Sequence, residues 1–99
     1  MNYIPNIRPR AEKDIWEAAL YYEQRIEGLG KDFVLCVDAA INGILRAPLM
    51  YRKVYKEFRR CLVHRFPYGV FFMIIENEIV IFRVFHLKQS PDEIKYSLK

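Results

Sequence analysis

Between Phe58 and Pro91 the chain reads FRRCLVHRFPYGVFFMIIENEIVIFRVFHLKQSP, apolar runs broken by two turn signals and bordered by Arg, His and Lys. Residues 70–75 and 79–84 are apolar at nearly every position, a pattern expected of strands that are central in a sheet or covered on both faces. Pro67-Tyr68-Gly69 and Glu76-Asn77-Glu78 carry turn residues, so residues 59–66, 70–75 and 79–86 are predicted to form a three-stranded antiparallel meander. The charges at the strand ends are then the candidate working parts.

The first half of the chain reads differently. Residues 2–7 are rich in Tyr and Ile but contain Pro5, which lacks a ladder donor and predicts an edge strand. Arg8-Pro9 marks a helix start, with Glu12 and Asp14 near the positive end of the helix dipole and no side-chain cap at Arg8. Ile15, Ala18, Ala19, Tyr22 and Ile26 follow helical spacing, while Glu12, Lys13, Glu17, Glu23 and Gln24 fill the other face. Glycine at 28 and 30 ends this helix, and Phe33, Val37, Ala40, Ile41, Ile44 and Leu45 define a second one that stops before Pro48. Joined by so short a linker, the two helices fold back as an antiparallel hairpin whose apolar stripe needs a sheet beneath it. The expected fold is therefore α+β: an N-terminal edge strand, then a helix hairpin packed on a curled, mainly antiparallel sheet. Residues 49–57 read either as a loop or as an early extension of that sheet.

A chain of 99 residues with 53% hydrophobic content predicts one domain spanning 1–99. Sixteen Lys and Arg against twelve Asp and Glu give +4, which favours acidic partners, protein or nucleic acid. Cys36 and Cys61 fall in a helix and a strand, and no apolar signal segment or membrane span is read, so reduced thiols in a cytoplasmic, membrane-free protein are expected. Cys61 and His64, three apart on a strand, point to opposite faces, so no metal is expected. The chain has no phosphate-binding glycine loop, nucleophile elbow or catalytic carboxylate pair, and no cofactor is expected.

Side-chain alternation places Arg60, Leu62, His64 and Phe66 on one face of the first meander strand and Arg59, Cys61, Val63 and Arg65 on the other. On the last strand Val80, Phe82, Val84 and His86 alternate with Ile79, Ile81, Arg83 and Phe85. With the helices over the face that lacks a mid-strand arginine, Arg65 and Arg83 are predicted to line the open face, where guanidinium groups suit phosphates or an acidic amphipathic peptide. The plainer alternatives are that Arg59, Arg60 and Arg65 keep an edge soluble and that Arg83 pairs with a helix carboxylate. His86-Leu87-Lys88 stands beside a chain reversal at Ser90-Pro91, where a histidine also serves simply as a cap. Cleavage of RNA by its own 2′-hydroxyl would need a base, an acid and a cation, roles open to His64, His86, Lys88 and Tyr96.

Ala11, Asp14-Ile15, Tyr21-Tyr22-Glu23, Gly28-Leu29-Gly30 with Phe33, Pro48, Arg59-Arg60, Arg65-Phe66-Pro67-Tyr68 and Val84-Phe85-His86 follow one another over nearly the whole chain. In order and spacing the chain resembles the RelE/ParE superfamily of toxins from type II toxin–antitoxin systems, of plasmid stabilisation type, and is closer to the ParE-like side. The resemblance implies a growth-inhibiting protein held in a hetero-oligomer by a cognate antitoxin whose C-terminal segment wraps it. An acidic, partly disordered partner would suit the net charge, adding a helix across the hairpin and a strand at a sheet edge. Superfamily members divide into toxins that bind DNA gyrase without being enzymes and ribosome-dependent mRNA endoribonucleases. Positions occupied by basic residues and a tyrosine in the nuclease branch correspond here to Arg60, Leu62, Gly69, Gln89 and Lys95, of which only Arg60 is suitable, with Tyr96 one position away. The resemblance therefore favours a gyrase-binding toxin, with Arg59, Arg60, Arg65, Arg83, His86 and Lys88 as its basic contact surface. The alternative is a nuclease using Arg60, His64, His86, Lys88 and Tyr96. The antitoxin-binding residues are not assigned by sequence.

Overall fold

In the computed structural model, which describes residues 2–89 and 91–98, strand β1 (Ile4–Ile7) leads into helices α1 (Pro9–Glu23) and α2 (Leu29–Arg46). A 3₁₀ turn (Pro48–Met50) follows, then β2 (Lys53–Tyr55), β3 (Phe58–Leu62), β4 (Tyr68–Ile75), β5 (Glu78–His86) and α3 (Pro91–Ser97). The sheet order is β1-β5-β4-β3-β2. Only β1 runs parallel to its neighbour, with Ile4 opposite Glu78 and Ile7 opposite Ile81. Edge position suits Pro5, whose missing N–H is needed by no second neighbour.

α1 begins without a side-chain cap, its entry fixed instead by the Arg8 N–H donating to the Ile81 carbonyl. It ends at Glu23, sooner than the apolar spacing suggests, and this leaves Ile26 exposed in the linker. Gly28 then takes φ +87°, a left-handed conformation that glycine adopts without strain. Both Glu23 carboxylate oxygens accept the Gly28 N–H and Oε1 accepts the Gly30 N–H, so a side chain from the end of α1 caps the start of α2. At Gly30 the helices nearly touch: a Cβ there would lie 2.5 Å from the Ala19 carbonyl oxygen.

The hairpin covers one face of the sheet. Ala11, Ala18 and Ala19 of α1 and Phe33, Val37, Ile41 and Ile44 of α2 pack on Cys61, Val70, Phe72, Ile79, Ile81 and Val84. Tyr22, Phe33, Phe66 and Tyr68 close one end of this core, with ring centroids 4.9–5.5 Å apart for the contacts of Phe33 and Phe66 with Tyr22 and with one another. A second cluster, Phe58, Phe71, Phe85 and Leu98, lies on the opposite face, with Ile94 of α3 against it. α3 roofs part of the face expected to be open.

Strict alternation along β5 is broken by one residue. Phe71 faces Arg83 but Phe72 faces Ile81, so Phe82 is extra and the strand carries a bulge. The bulge resets the faces: Ile79 and Ile81 before it and Val84 after it all turn towards the hairpin. The expectation that the helices cover Val80, Phe82, Val84 and His86 as one set is corrected on this point. β3 also ends at Leu62, four residues before its predicted end, and Arg65 sits in the following loop at φ +72°.

A basic sheet face and an apolar hairpin groove

Beyond Ile81, β1 no longer covers β5, and a backbone edge is left without a strand partner. Asp14, on the second turn of α1, occupies that edge. Its Oδ2 accepts the Val84 N–H at 3.0 Å and the Arg83 Nε–H at 2.7 Å, while Oδ1 accepts from Arg83 Nη2 at 2.9 Å. The pair is largely withdrawn from water, with 10% and 12% of the Asp14 and Arg83 side chains exposed, and the guanidinium lies 4.3 Å from the centre of the Phe85 ring. A bidentate guanidinium–carboxylate pair with its remaining capacity spent on backbone is a structural clamp. Arg83 is therefore not displayed on an open face, contrary to the first expectation and in line with the plainer one.

Arg65 is also displaced from that face. Because β3 has ended, the residue lies in the exposed loop that returns to β4, 3.8 Å from Asp32 in the first turn of α2, on the hairpin side. Arg59 donates to the Tyr51 carbonyl, securing the segment before β2. His64 is exposed in the same loop as Arg65. His86 is half-buried, accepts the Lys88 N–H on Nδ1 at 2.9 Å and packs edge-on against Tyr68 at 5.1 Å. This is the capping role the sequence offered as its plainer reading. Tyr96 is exposed on α3, and Ser90 lies outside the described residues.

Arg60 differs from all of these. It projects on the face opposite the hairpin, half-buried, with no hydrogen-bond or ion-pair partner among the described residues. Its aliphatic stem crosses Gly69 so closely that a Cβ at that position would lie 3.0 Å from Arg60 Cδ. Arg60 lines a cleft of about 160 Å³ between the sheet and α3, together with Tyr55, Gln89, Ile94 and Lys95. Lys56 and Lys95 stand 5.2 and 5.8 Å from the centre of the Tyr55 ring, and Arg8 stands 5.2 Å from that of Phe82. The result is a face of cations interleaved with aromatic rings, suited to anionic groups. Sequence reading found Arg60, set Lys95 aside and missed Arg8 and Lys56, and the meeting of these cations depends on α3 and on the short β2.

On the outer side of the hairpin, Trp16, Ala19, Leu20, Gly30 and Val34 line an open apolar groove of about 410 Å³, with Glu23 and Lys31 at its margins. Trp16 is 65% and Leu20 60% exposed. The signal was present in the sequence: these two large apolar residues sit at i, i+4 outside the stripe that packs on the sheet.

Burial raises the pKa of the Tyr68 phenol, with Tyr22, Tyr21 and Asp14 adding to the effect. Desolvation likewise pushes the Cys61 thiol up, opposed by a hydrogen bond from Tyr51. Neither group is poised as a reactive anion at neutral pH.

Residues 6–91 match the family described as ParE toxin of type II toxin–antitoxin system, parDE. The chain belongs to the ParE toxin family. Toxin ParE2 of Mycobacterium tuberculosis is 27% identical over 85 residues, covering 85% of this chain and 81% of the relative. Among solved structures, the chromosomal ParDE system of P. aeruginosa superposes with TM-score 0.76 at 15% identity, covering 85% of this chain and 95% of that one. The RelBE2 toxin–antitoxin complex of M. tuberculosis gives TM-score 0.57 at 19% identity, over 87% and 99%. At these identities the structural matches establish the shared ParE/RelE fold. No helix among the described residues is long and apolar enough to cross a membrane.

Proposed function

We propose that this ParE-family toxin inhibits growth by binding a macromolecular target of the DNA gyrase type through its basic sheet face, and that a cognate antitoxin neutralises it in the cytoplasm. The observation that carries the target reading is Arg60: a half-buried guanidinium with no internal partner, held over Gly69 beside Lys95 and Gln89. Leaving such a group unpaired is unfavourable unless something else supplies the acceptor. Of the other side chains proposed for a nuclease, neither histidine lines the Arg60 cleft. His86 opens into an adjoining recess bounded by Asp14, Glu17, Tyr21 and Tyr68, which shares Gln89 with the Arg60 cleft, and His64 lines neither.

Family membership and the fold shared with toxin–antitoxin complexes support the antitoxin. The hairpin groove is the surface on which we place its helix, since a contiguous exposed apolar patch on a small protein marks a docking site.

A gyrase supercoiling assay tests the target. The purified chain should suppress supercoiling, and Arg60→Glu should weaken it at least about tenfold with unchanged thermal stability, as expected for reversal of a charge at a contact. Unchanged supercoiling alongside cutting of ribosome-bound mRNA would reject the gyrase reading in favour of the nuclease.

A further inference from the structure

The protein's charge is divided unequally. Residues 9–46, the hairpin, hold five Arg or Lys and seven Asp or Glu, whereas the remainder holds eleven and five. The net positive charge that suggests an acidic partner thus resides outside the hairpin. Of the hairpin carboxylates, Asp14 is turned inward to Arg83 and Asp32 lies at the surface beside Arg65. Glu23 and Lys31 line the groove, and helical register extends its rim to Glu12 one turn before Trp16 and Asp38 one turn after Val34, with Lys13 beside Glu12 and the opposed pair Arg25 and Glu27 in the linker. Exposed charges act over roughly 8 Å at physiological salt, so a segment lying in the groove responds to these local groups and only weakly to the basic face beyond the sheet.

From this distribution we infer that the partner segment seated in the groove is an amphipathic helix whose apolar ridge is flanked by Lys and Arg, although the protein as a whole is cationic. The inference rests on the antitoxin reading and specifies the chemistry of that partner's docking segment. A furrow between two antiparallel helices, narrowed where Gly30 meets Ala19, accepts a third helix presenting small and aliphatic side chains at i, i+4 and i+7. Basic flanks then meet Glu12 and Asp38, while acidic flanks meet like charge. Two kinds of contact thereby divide the labour: aliphatic burial against Trp16 and Leu20 supplies adhesion, and the rim carboxylates discriminate.

The chain's one tryptophan, Trp16, reports occupancy directly. Two synthetic helices of about 18 residues, long enough to span the groove, share one Leu/Ala ridge and differ only in Lys/Arg or Glu/Asp flanks. Titrated into the full chain, the basic helix should shift Trp16 emission to the blue and bind about fivefold tighter than the acidic one at low salt, as expected of several rim pairs, the gap closing in high salt. Leu20→Asp, at an exposed position that spares the fold, should abolish both shifts. The E12K/D38K variant should erase or invert the preference while leaving the apolar contact. Equal or tighter binding of the acidic helix, or a preference unmoved by E12K/D38K, overturns the inference, as does Leu20-dependent self-association that excludes both helices. The product of the adjacent reading frame separates this from the antitoxin reading. A complex indifferent to Leu20→Asp would overturn the groove and keep the antitoxin; absence of any complex would count against the antitoxin and leave the helix titration to decide the groove.

Discussion

Replacing Asp14 by alanine removes three acceptor interactions at once: two from the Arg83 guanidinium and one from the Val84 N–H. Arg83 would be left 12% exposed with no counter-charge, since its other close neighbour is the Phe85 ring. Breaking a buried pair by removing one partner destabilises by about 3–5 kcal/mol, and the residual exposure places this pair near the lower end, about 3 kcal/mol. In a chain of this length that corresponds to a fall in melting temperature of roughly 12–24 °C. Urea unfolding followed by far-UV circular dichroism measures the loss, with the slope checked so that midpoint changes report stability. The double variant D14A/R83M should regain most of it, because a methionine in place of the orphaned guanidinium has no charge to strand. A loss below about 1 kcal/mol for Asp14→Ala, typical of an exposed pair, would refute the clamp. Arg83→Ala is, on the same reasoning, a stability variant, and any lost toxicity there says little about target contact.

Gly30→Val should cost about 1–3 kcal/mol by forcing α1 and α2 apart where a Cβ has no room, a loss visible in the same unfolding experiment. Glu23→Ala should cost about 1 kcal/mol, as for loss of a helix cap, with faster amide exchange at Gly28 and Gly30 as its signature. Stability should also fall in alkali. The Cys61 thiol and the Tyr22, Tyr51 and Tyr68 phenols have pKa values raised by burial above 9.0 and 10.0. The native state therefore holds protons that the unfolded chain releases. Their contribution is complete below about pH 9 and is lost as pH rises through the native values. Equilibrium unfolding from pH 8 upward, with Tyr68→Phe flattening part of the decline, checks the sign.

The residues by which the sequence resembles its family hold the hairpin to the sheet. Asp14 clamps β5, Glu23 caps α2, Gly28 and Gly30 shape the linker, and Tyr22, Phe33, Phe66 and Tyr68 share one aromatic cluster. Such constraints are local or periodic, which is why the strand, hairpin and meander were legible before any coordinates. What escaped was non-local. One surplus residue at Phe82 shifts the faces of β5, and no pattern of alternation reveals where a bulge falls. α3 packs through Ile94, with Leu98 just beyond its end, too few apolar positions to display a helical period. The candidate site therefore changed more than the fold. Arg83 proved to be held by a helix carboxylate, Arg65 fell in an exposed loop near Asp32, and Arg60 acquired the neighbours that make it the centre of the exposed cations.

The pairing of β1 with β5 has a consequence for biosynthesis. The N-terminal strand must wait for Glu78 to Ile81 before it has anything to bind, because its partner lies more than seventy residues downstream. During translation the two helices emerge first, with no layer beneath their oily side. Contacts of such long sequence separation form late. A newborn molecule therefore completes its sheet only near the end of synthesis, and until then the inner side of its helices lies open to whatever it meets.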